Sequence, residues 1–348
     1  MAGGIGSRFW PMSTTEKPKQ FLDVLGVGKS LLRQTYERLL PICPAENILV
    51  VTNESYKELV AKDIPEMLED HILCEPMRRN TAPCIAFASY KIKAKNPDAT
   101  IVVCPSDHLV LKEDSFVEIM NLAIDQARNN NSLVTLGIKP HRPDTGYGYI
   151  QFKEENTHPD DRVKKVKTFT EKPSLEIAEQ FLESGDFYWN SGIFIFNLET
   201  IVNSFEQHLH DVHTLFSEGL ENFYTENEAN FILDTFQKCP NISIDYGIME
   251  KSKSVDVVLA DFGWSDLGTW GSLNEQLKKD EEGNAVVGKK VNLHDSKNCT
   301  IHIQGNQTAI IQGLDSYIVV FANNTLLITK KSKEQDIKGF VNQLKMKK

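Results

Sequence analysis

Between residue 1 and about residue 260 the chain alternates short apolar runs with longer stretches whose apolar positions recur at helical spacing. Asn47–Asn53 (NILVVTN) reads as a buried strand. Thr81–Lys95 reads as a helix with Ile85, Ala86, Ala88, Ser89 and Ile92 toward the interior. Thr100–Cys104 is a second strand, Phe116–Arg128 a second helix, and Ser132–Ile138 a third strand. This β-α-β rhythm predicts an α/β fold: a mixed, mostly parallel sheet with helices on both faces, Rossmann-like in plan. After about residue 280 the rhythm changes. Val286–Val291, Thr300–Ile303, Thr308–Ile311, Ser316–Phe321 and Thr325–Thr329 are short β-prone runs punctuated by Gly, Asn, Asp and Ser. They predict a small all-β module, closed by a helix over Glu334–Leu344. The expected division is therefore 1–278 and 279–348, the two parts packed together.

Composition narrows the classes. The 348 residues are 41% apolar and 25% charged, the profile of a folded globular chain. A formal net charge of −10 weighs against a nucleic-acid binder, though a local basic pocket could still hold a small phosphorylated ligand. The sequence contains no apolar run of about 18 residues, so no membrane partner is expected. The N-terminus lacks a signal-peptide layout. Cys43, Cys74, Cys84, Cys104, Cys239 and Cys299 are scattered without metal spacing and read as reduced thiols of a cytoplasmic protein.

The chemistry concentrates in a few strings. The first is Met1-Ala2-Gly3-Gly4-Ile5-Gly6-Ser7-Arg8-Phe9-Trp10-Pro11, followed by Lys17-Pro18-Lys19-Gln20-Phe21. Its glycines let backbone N–H groups approach a phosphate chain, and Arg8, Lys17 and Lys19 offer cations. A P-loop would need Gly-Lys-Ser/Thr where Ser7-Arg8 stands. A dinucleotide fingerprint would need glycine in place of Phe9, so an oxidoreductase is disfavoured. Asp107, in Pro105-Ser106-Asp107-His108, follows directly on a strand; Asp266 lies in Trp264-Ser265-Asp266-Leu267-Gly268. Each carboxylate could bind Mg²⁺ or simply cap a turn. Glu171-Lys172-Pro173 and Asn190-Ser191-Gly192 offer a carboxylate, a cation and an amide, the groups a sugar phosphate needs; a solvated ion pair and a turn are the plainer readings. Glu75-Pro76-Met77-Arg78-Arg79-Asn80-Thr81-Ala82-Pro83 leads into a helix that Thr81 is expected to cap.

Taken together, Gly-Gly-x-Gly-Ser-Arg-x-Trp-Pro, Lys-Pro-Lys-Gln-Phe, Pro-Ser-Asp-His, Glu-Lys-Pro, Asn-Ser-Gly and Trp-Ser-Asp-x-Gly resemble, in the same order, the sugar-nucleotide pyrophosphorylase family. The resemblance covers residues 1 to about 275, and the string around Asn80 is similar to that family's guanylyl branch. It implies a nucleotidyltransferase domain and a β-helix-like C-terminal module. It implies transfer of GMP from GTP to mannose 1-phosphate, with Mg²⁺ as cofactor. Arg8, Lys19, Asp107 and Lys172 would then be catalytic. Ala2, Gly3, Gly4, Gly6, Ser7, Asn80, Thr81 and Pro105 would join Arg8, Lys19 and Asp107 around the nucleotide. Gly148, Glu171, Lys172 and Asn190 would hold the sugar phosphate, and Asp107 and Asp266 the metal. GTP and mannose 1-phosphate are the implied partners, and assembly as a homodimer stays open. A pyrophosphorylase for another sugar or nucleotide, or a non-catalytic regulatory relative, would satisfy part of the same pattern. No general base is expected, because a sugar phosphate oxygen is already anionic.

Glycine-rich phosphate loops ordinarily follow a central strand. Met1 stands where that strand would be ending, so the physiological chain is expected to start upstream, by about 5–10 residues including a β-branched run. No room is expected within residues 1–348 for a further isomerase domain.

Overall fold

A computed structural model describes residues 1–4, 6–155 and 158–346. In chain order the first elements are α1 (Leu31–Leu39), β1 (Val50–Asn53), α2 (Lys57–Asp63), β2 (Ile72–Glu75), α3 (Thr81–Lys93) and β3 (Thr100–Val103). Next come β4 (Leu109–Val110), α4 (Glu113–Asn130), β5 (Leu133–Ile138), β6 (Gly148–Phe152), β7 (Val163–Glu171), α5 (Leu175–Ser184) and β8 (Phe187–Asn197). Helices α6 (Leu198–His208), α7 (His210–Ser217) and α8 (Glu228–Lys238) precede β9 (Val255–Ala260), β10 (Trp264–Ser265) and α9 (Trp270–Gln276). The last stretch holds β11 (Ala285–Val287), β12 (Lys290–His294), β13 (Thr300–Ile303), β14 (Thr308–Gln312), β15 (Tyr317–Ala322), β16 (Thr325–Lys330) and α10 (Ile337–Met346).

Two compact units result, and they do not follow chain order. One comprises Met1, 38–105 and 110–264; the other comprises 2–37, 106–109 and 265–348. The division cuts across the expected boundary at residue 278, because the glycine-rich loop groups with the C-terminal segment.

The first unit is the α/β layer expected from the rhythm of the chain. Its six-stranded sheet has the order β3-β8-β5-β9-β7-β6, and β1 and β2 form a separate parallel pair. Strand residues alternate between its faces. Leu133, Phe194, Phe196 and Val257 pack with Phe87 and Tyr90 of α3 and Phe205 of α6. Val134, Ile195 and Val258 point the other way, to Phe116, Ile119 and Met120 of α4. Helices on both faces are thus confirmed, while the predominance of parallel pairing needs correction. Strands β5 and β9 pair in parallel, but every other ladder of this sheet is antiparallel. Strand β8, eleven residues long, enters between β3 and β5 and runs against both, and β7 runs against both β6 and β9. The rhythm of a sequence orders strands along the chain, not across a sheet.

The second unit is built on parallel coils. Strand β11 pairs with β13 and β13 with β15, while β12 pairs with β14 on a second sheet, all in parallel. That is the β-helix-like arrangement expected, except that Val286–Val291 divides into β11 and the start of β12. Phe9, Met12, Leu22 and Leu31 of the N-terminal segment share one core with Trp270, Ile318, Val320 and Val341. The rings of Phe9 and Trp270 lie 4.9 Å apart between centroids. Asn323 Nδ2 donates to the carbonyl of Pro11 at 2.9 Å, tying the loop to the β module. Among the described residues no helix is long and apolar enough to cross a membrane.

Candidate active site

In the second unit Lys19 organises the glycine-rich loop. Its side chain is 5% exposed, and its ammonium donates to Asp107 Oδ2 (2.9 Å) and to the carbonyls of Asp266 (2.7 Å) and Leu267 (3.2 Å). Three donors therefore meet three acceptors, the full capacity of the group. Gln20 Nε2 donates to the carbonyls of Ala2 (2.8 Å) and Gly4 (3.1 Å), which holds the loop's first turn. Gly6 has φ +62°, and a Cβ there would stand 2.6 Å from Lys19 Cβ; glycine is required on both counts. Gly3 is half-buried and Arg8 is exposed, on the turn Ser7–Phe9. The side chain of Ser7 lies outside the described residues.

Lys19 also brings residues 107 and 266 to one place. Burial pushes the Asp107 carboxyl up, but the adjacent Lys19 ammonium, with His108, outweighs it and holds the group below the usual carboxylate range. The His108 ring nitrogen is 3.9 Å from Asp107 Oδ1. Asp266 Oδ1 accepts the N–H of Gly268 at 2.8 Å. Leu267, between them, is fully buried with φ +44°, a left-handed conformation that a side chain tolerates poorly. Among the described residues no cluster of three or more His, Cys, Asp or Glu side chains is poised for a metal. Carboxylate oxygens such as those of Asp107 and Asp266 are the donor type that a hard divalent cation takes.

In the first unit the predicted sugar-phosphate residues gather at the ends of β6, β7 and β8. Gly148 is paired with Glu171 across the β6–β7 ladder, and a Cβ on Gly148 would collide with the Glu171 carboxylate. The Glu171 side chain is 8% exposed and pairs with the Lys172 ammonium, whose own side chain is 57% exposed. Lys172 has φ +49°, and its N–H donates to the Tyr147 carbonyl at 3.1 Å. Asn190 Nδ2 donates to Asp245 Oδ1 at 2.9 Å. Asp245 was not foreseen. Burial, then the negative Glu171, pushes its carboxyl up to about 6. Glu250 follows on the same turn, and its Oε1 accepts the Glu171 N–H at 3.3 Å. An Asp ahead of a helical turn looks like a cap in the sequence; only the fold shows it beside Asn190.

The Glu75–Pro83 string carries one correction. Asn80, not Thr81, caps α3: its Oδ1 accepts the Thr81 N–H at 2.9 Å. Thr81 is the first helical residue, and its hydroxyl instead accepts the Ile244 N–H at 2.9 Å. Asn80 adopts φ +70°, ψ −169°, a region almost reserved for glycine and costing about 1–3 kcal/mol. Such strain persists only where the surrounding fold over-determines it. Glu75, buried at the end of β2, has its carboxyl pushed up to about 7 by that burial. Pro105 is half-buried at the end of the same unit's 38–105 segment.

Comparison with known proteins agrees with the fold and with the family that the sequence resembles. The nucleotidyl transferase family model matches residues 1–283. The chain belongs to that family, on the branch of the mannose-1-phosphate guanylyltransferases. A mannose-1-phosphate guanylyltransferase of Escherichia coli is 36% identical over 350 residues, covering 99% of this chain and 74% of that protein. Alginate biosynthesis protein AlgA of Pseudomonas aeruginosa is 35% identical, covering 99% of this chain and 71% of that protein. A crystal structure from Thermus thermophilus, described as a mannose-1-phosphate geranyltransferase, superimposes with a TM-score of 0.88 at 30% identity; the match covers 99% of this chain and 98% of that one.

Proposed function

We propose that the protein transfers GMP from GTP to mannose 1-phosphate, releasing pyrophosphate and forming GDP-mannose. The observation that carries this reading is the Lys19 hub, which holds Asp107 and Asp266 together beside a glycine-rich loop, in a chain whose relatives bear that activity in their names. The sugar phosphate oxygen is the nucleophile, and it attacks the α-phosphate in line with the departing pyrophosphate. It needs no base, so the work of the protein is to hold and neutralise two polyanions.

Arg8, exposed on its turn, meets the triphosphate, and the backbone N–H groups of the glycine-rich loop pack along it. Asn80 and Thr81 belong to the nucleotide side, with Pro105. Lys19 has every donor committed, so its first task is to fix residues 107 and 266; it reaches phosphate only by exchanging one of those bonds. Asp107 and Asp266 would supply carboxylate oxygens to a Mg²⁺, the donor type that this cation takes. Bound there, the metal would neutralise charge on the phosphates. Lys172, exposed and loosely held, turns to the sugar's phosphate, while Glu171 and Asn190 meet hydroxyls and Gly148 leaves room for them. The six cysteines, all unpaired, suit a cytoplasmic setting.

The test is pyrophosphate release measured with each nucleoside triphosphate against each sugar 1-phosphate. GTP with mannose 1-phosphate should give the highest kcat/KM. Preference for another pair would reassign the substrate, and no release with any pair would overturn the reading.

A further inference from the structure

The amide of Asn190 is more tightly determined than a sugar-binding asparagine needs to be. Its Oδ1 accepts the Gly192 N–H at 3.2 Å, and it faces the Thr135 hydroxyl at 3.1 Å, which shares its proton with the Ile193 carbonyl at 3.0 Å. The backbone N–H of Gly192 fixes which end of the amide is oxygen, because a flipped amide would set donor against donor. The Nδ2 end then has two N–H bonds, and Asp245 Oδ1 takes one of them. One N–H is left. Asp245 is held in place from behind: it opens the π-helical turn Asp245–Met249, and the preceding Ile244 is tethered to Thr81. Around it stand Glu171 and Lys172 from the end of β7, Asn190 from β8, and Glu250 from its own turn.

We propose that Asp245 is a positioning residue for sugar choice: by holding Asn190, it leaves a single N–H donor aimed at a hydroxyl oxygen, beside the Glu171 carboxylate that accepts from a neighbouring hydroxyl. A donor and an acceptor fixed side by side read a pair of adjacent hydroxyls in one orientation, whereas a freely turning amide would accept either. This rests on the reading that Asn190 and Glu171 meet the sugar. It adds a residue that need not touch the sugar at all.

Steady-state kinetics with mannose 1-phosphate, glucose 1-phosphate and GTP test the assignment. Asp245→Ala should raise KM for mannose 1-phosphate about ten-fold and narrow the preference over glucose 1-phosphate, with KM for GTP unchanged. Asp245→Asn keeps an acceptor oxygen for Asn190 and should restore most of the loss. Thr135→Val removes the other side-chain tether of the same amide without changing its size, and should move KM in the same direction by a smaller factor. This second site keeps the test open should Asp245→Ala fail to fold. An unchanged sugar KM in Asp245→Ala or in Thr135→Val overturns the assignment, as does an equal rise in KM for GTP. Failure of the functional reading looks different: wild type itself would then release no pyrophosphate with any sugar 1-phosphate.

Discussion

Lys19 and Lys172 carry the same charge in opposite surroundings. Lys19 is buried, with all three N–H bonds spent inside the second unit. Lys172 is more than half exposed and leans on its own neighbour, Glu171. A buried ammonium cannot move without leaving a carboxylate and two carbonyls unpaired, so it acts by holding other groups still. An exposed one has little to lose by turning toward a ligand. On the proposed reading Lys19 builds the site and Lys172 serves it, a difference that can be measured.

The largest effect should come from Lys19. Lys19→Met is expected to lower kcat by several orders of magnitude and also to destabilise the fold, by on the order of 3 kcal/mol, because charged hydrogen bonds are lost in a buried place. Arg8→Ala, on the same loop but exposed, should lower turnover by about 100-fold or more and leave the thermal midpoint unchanged. Parallel melts and saturating-substrate assays of the two variants decide this. Near wild-type turnover for Arg8→Ala would remove Arg8 from the reaction.

Next in size is the metal requirement. Asp107→Asn and Asp266→Asn should each shift the Mg²⁺ concentration for half-maximal activity upward by about ten-fold or more, as expected when one of two carboxylate ligands is neutralised. Asp266→Asn should leave the melting curve unchanged, whereas Asp107→Asn also takes the counter-charge from the buried Lys19 and should lower the thermal midpoint. A titration that overlays wild type excludes that residue as a ligand. Lys172→Met should do less: a rise of about ten-fold in KM for mannose 1-phosphate, with KM for GTP and the melting curve unmoved. An equal effect on GTP would place Lys172 on the nucleotide instead.

The second unit shows what the sequence could and could not reveal. Four of the five expected runs of the β module, those at residues 300, 308, 316 and 325, stand within a residue of the strands found, while Val286–Val291 divides between β11 and β12 around Gly288. The glycine-rich loop announces itself through Gly6, whose positive φ and closeness to Lys19 leave no alternative. What the loop packs against is silent in the sequence. Phe9 and Trp270 are 261 positions apart, and no spacing rule joins them. Nor does any local signal distinguish Lys19, which is buried, from Lys17, two residues away, which is exposed. In the first unit β1, α3, β3, α4 and β5 follow from periodicity, but the entry of β8 between β3 and β5 joins segments distant in the chain, which periodicity does not order. Asn80 took the cap expected of Thr81 because Thr81's hydroxyl is claimed by Ile244, 163 positions on. Asp245 was invisible for the same reason: its meaning comes from Asn190 and Glu171, both distant in sequence.

The smallest effect sets the two units against each other through pH. In the second unit His302 is buried on β13, and that burial lowers its imidazole to about 4. Unfolded, it titrates near 6.5. Between those values the unfolded chain holds a proton that the folded one refuses, so stability present above about pH 6.5 is lost as pH falls toward 4, by up to about 3 kcal/mol. Asp245 in the first unit has the opposite sign. Its folded carboxyl titrates at about 6, above the unfolded value near 3.9. The folded chain binds the extra proton, so stability rises by up to about 3 kcal/mol as pH falls from 6 toward 4. In wild type the two slopes largely cancel. His302→Gln should therefore gain stability relative to wild type on acidification over this range, and Asp245→Asn should lose it. Urea unfolding at half-unit pH steps for all three proteins is the measurement. Parallel curves for His302→Gln and wild type would show that the imidazole is not buried neutral, and parallel curves for Asp245→Asn would return Asp245 to an ordinary exposed carboxylate.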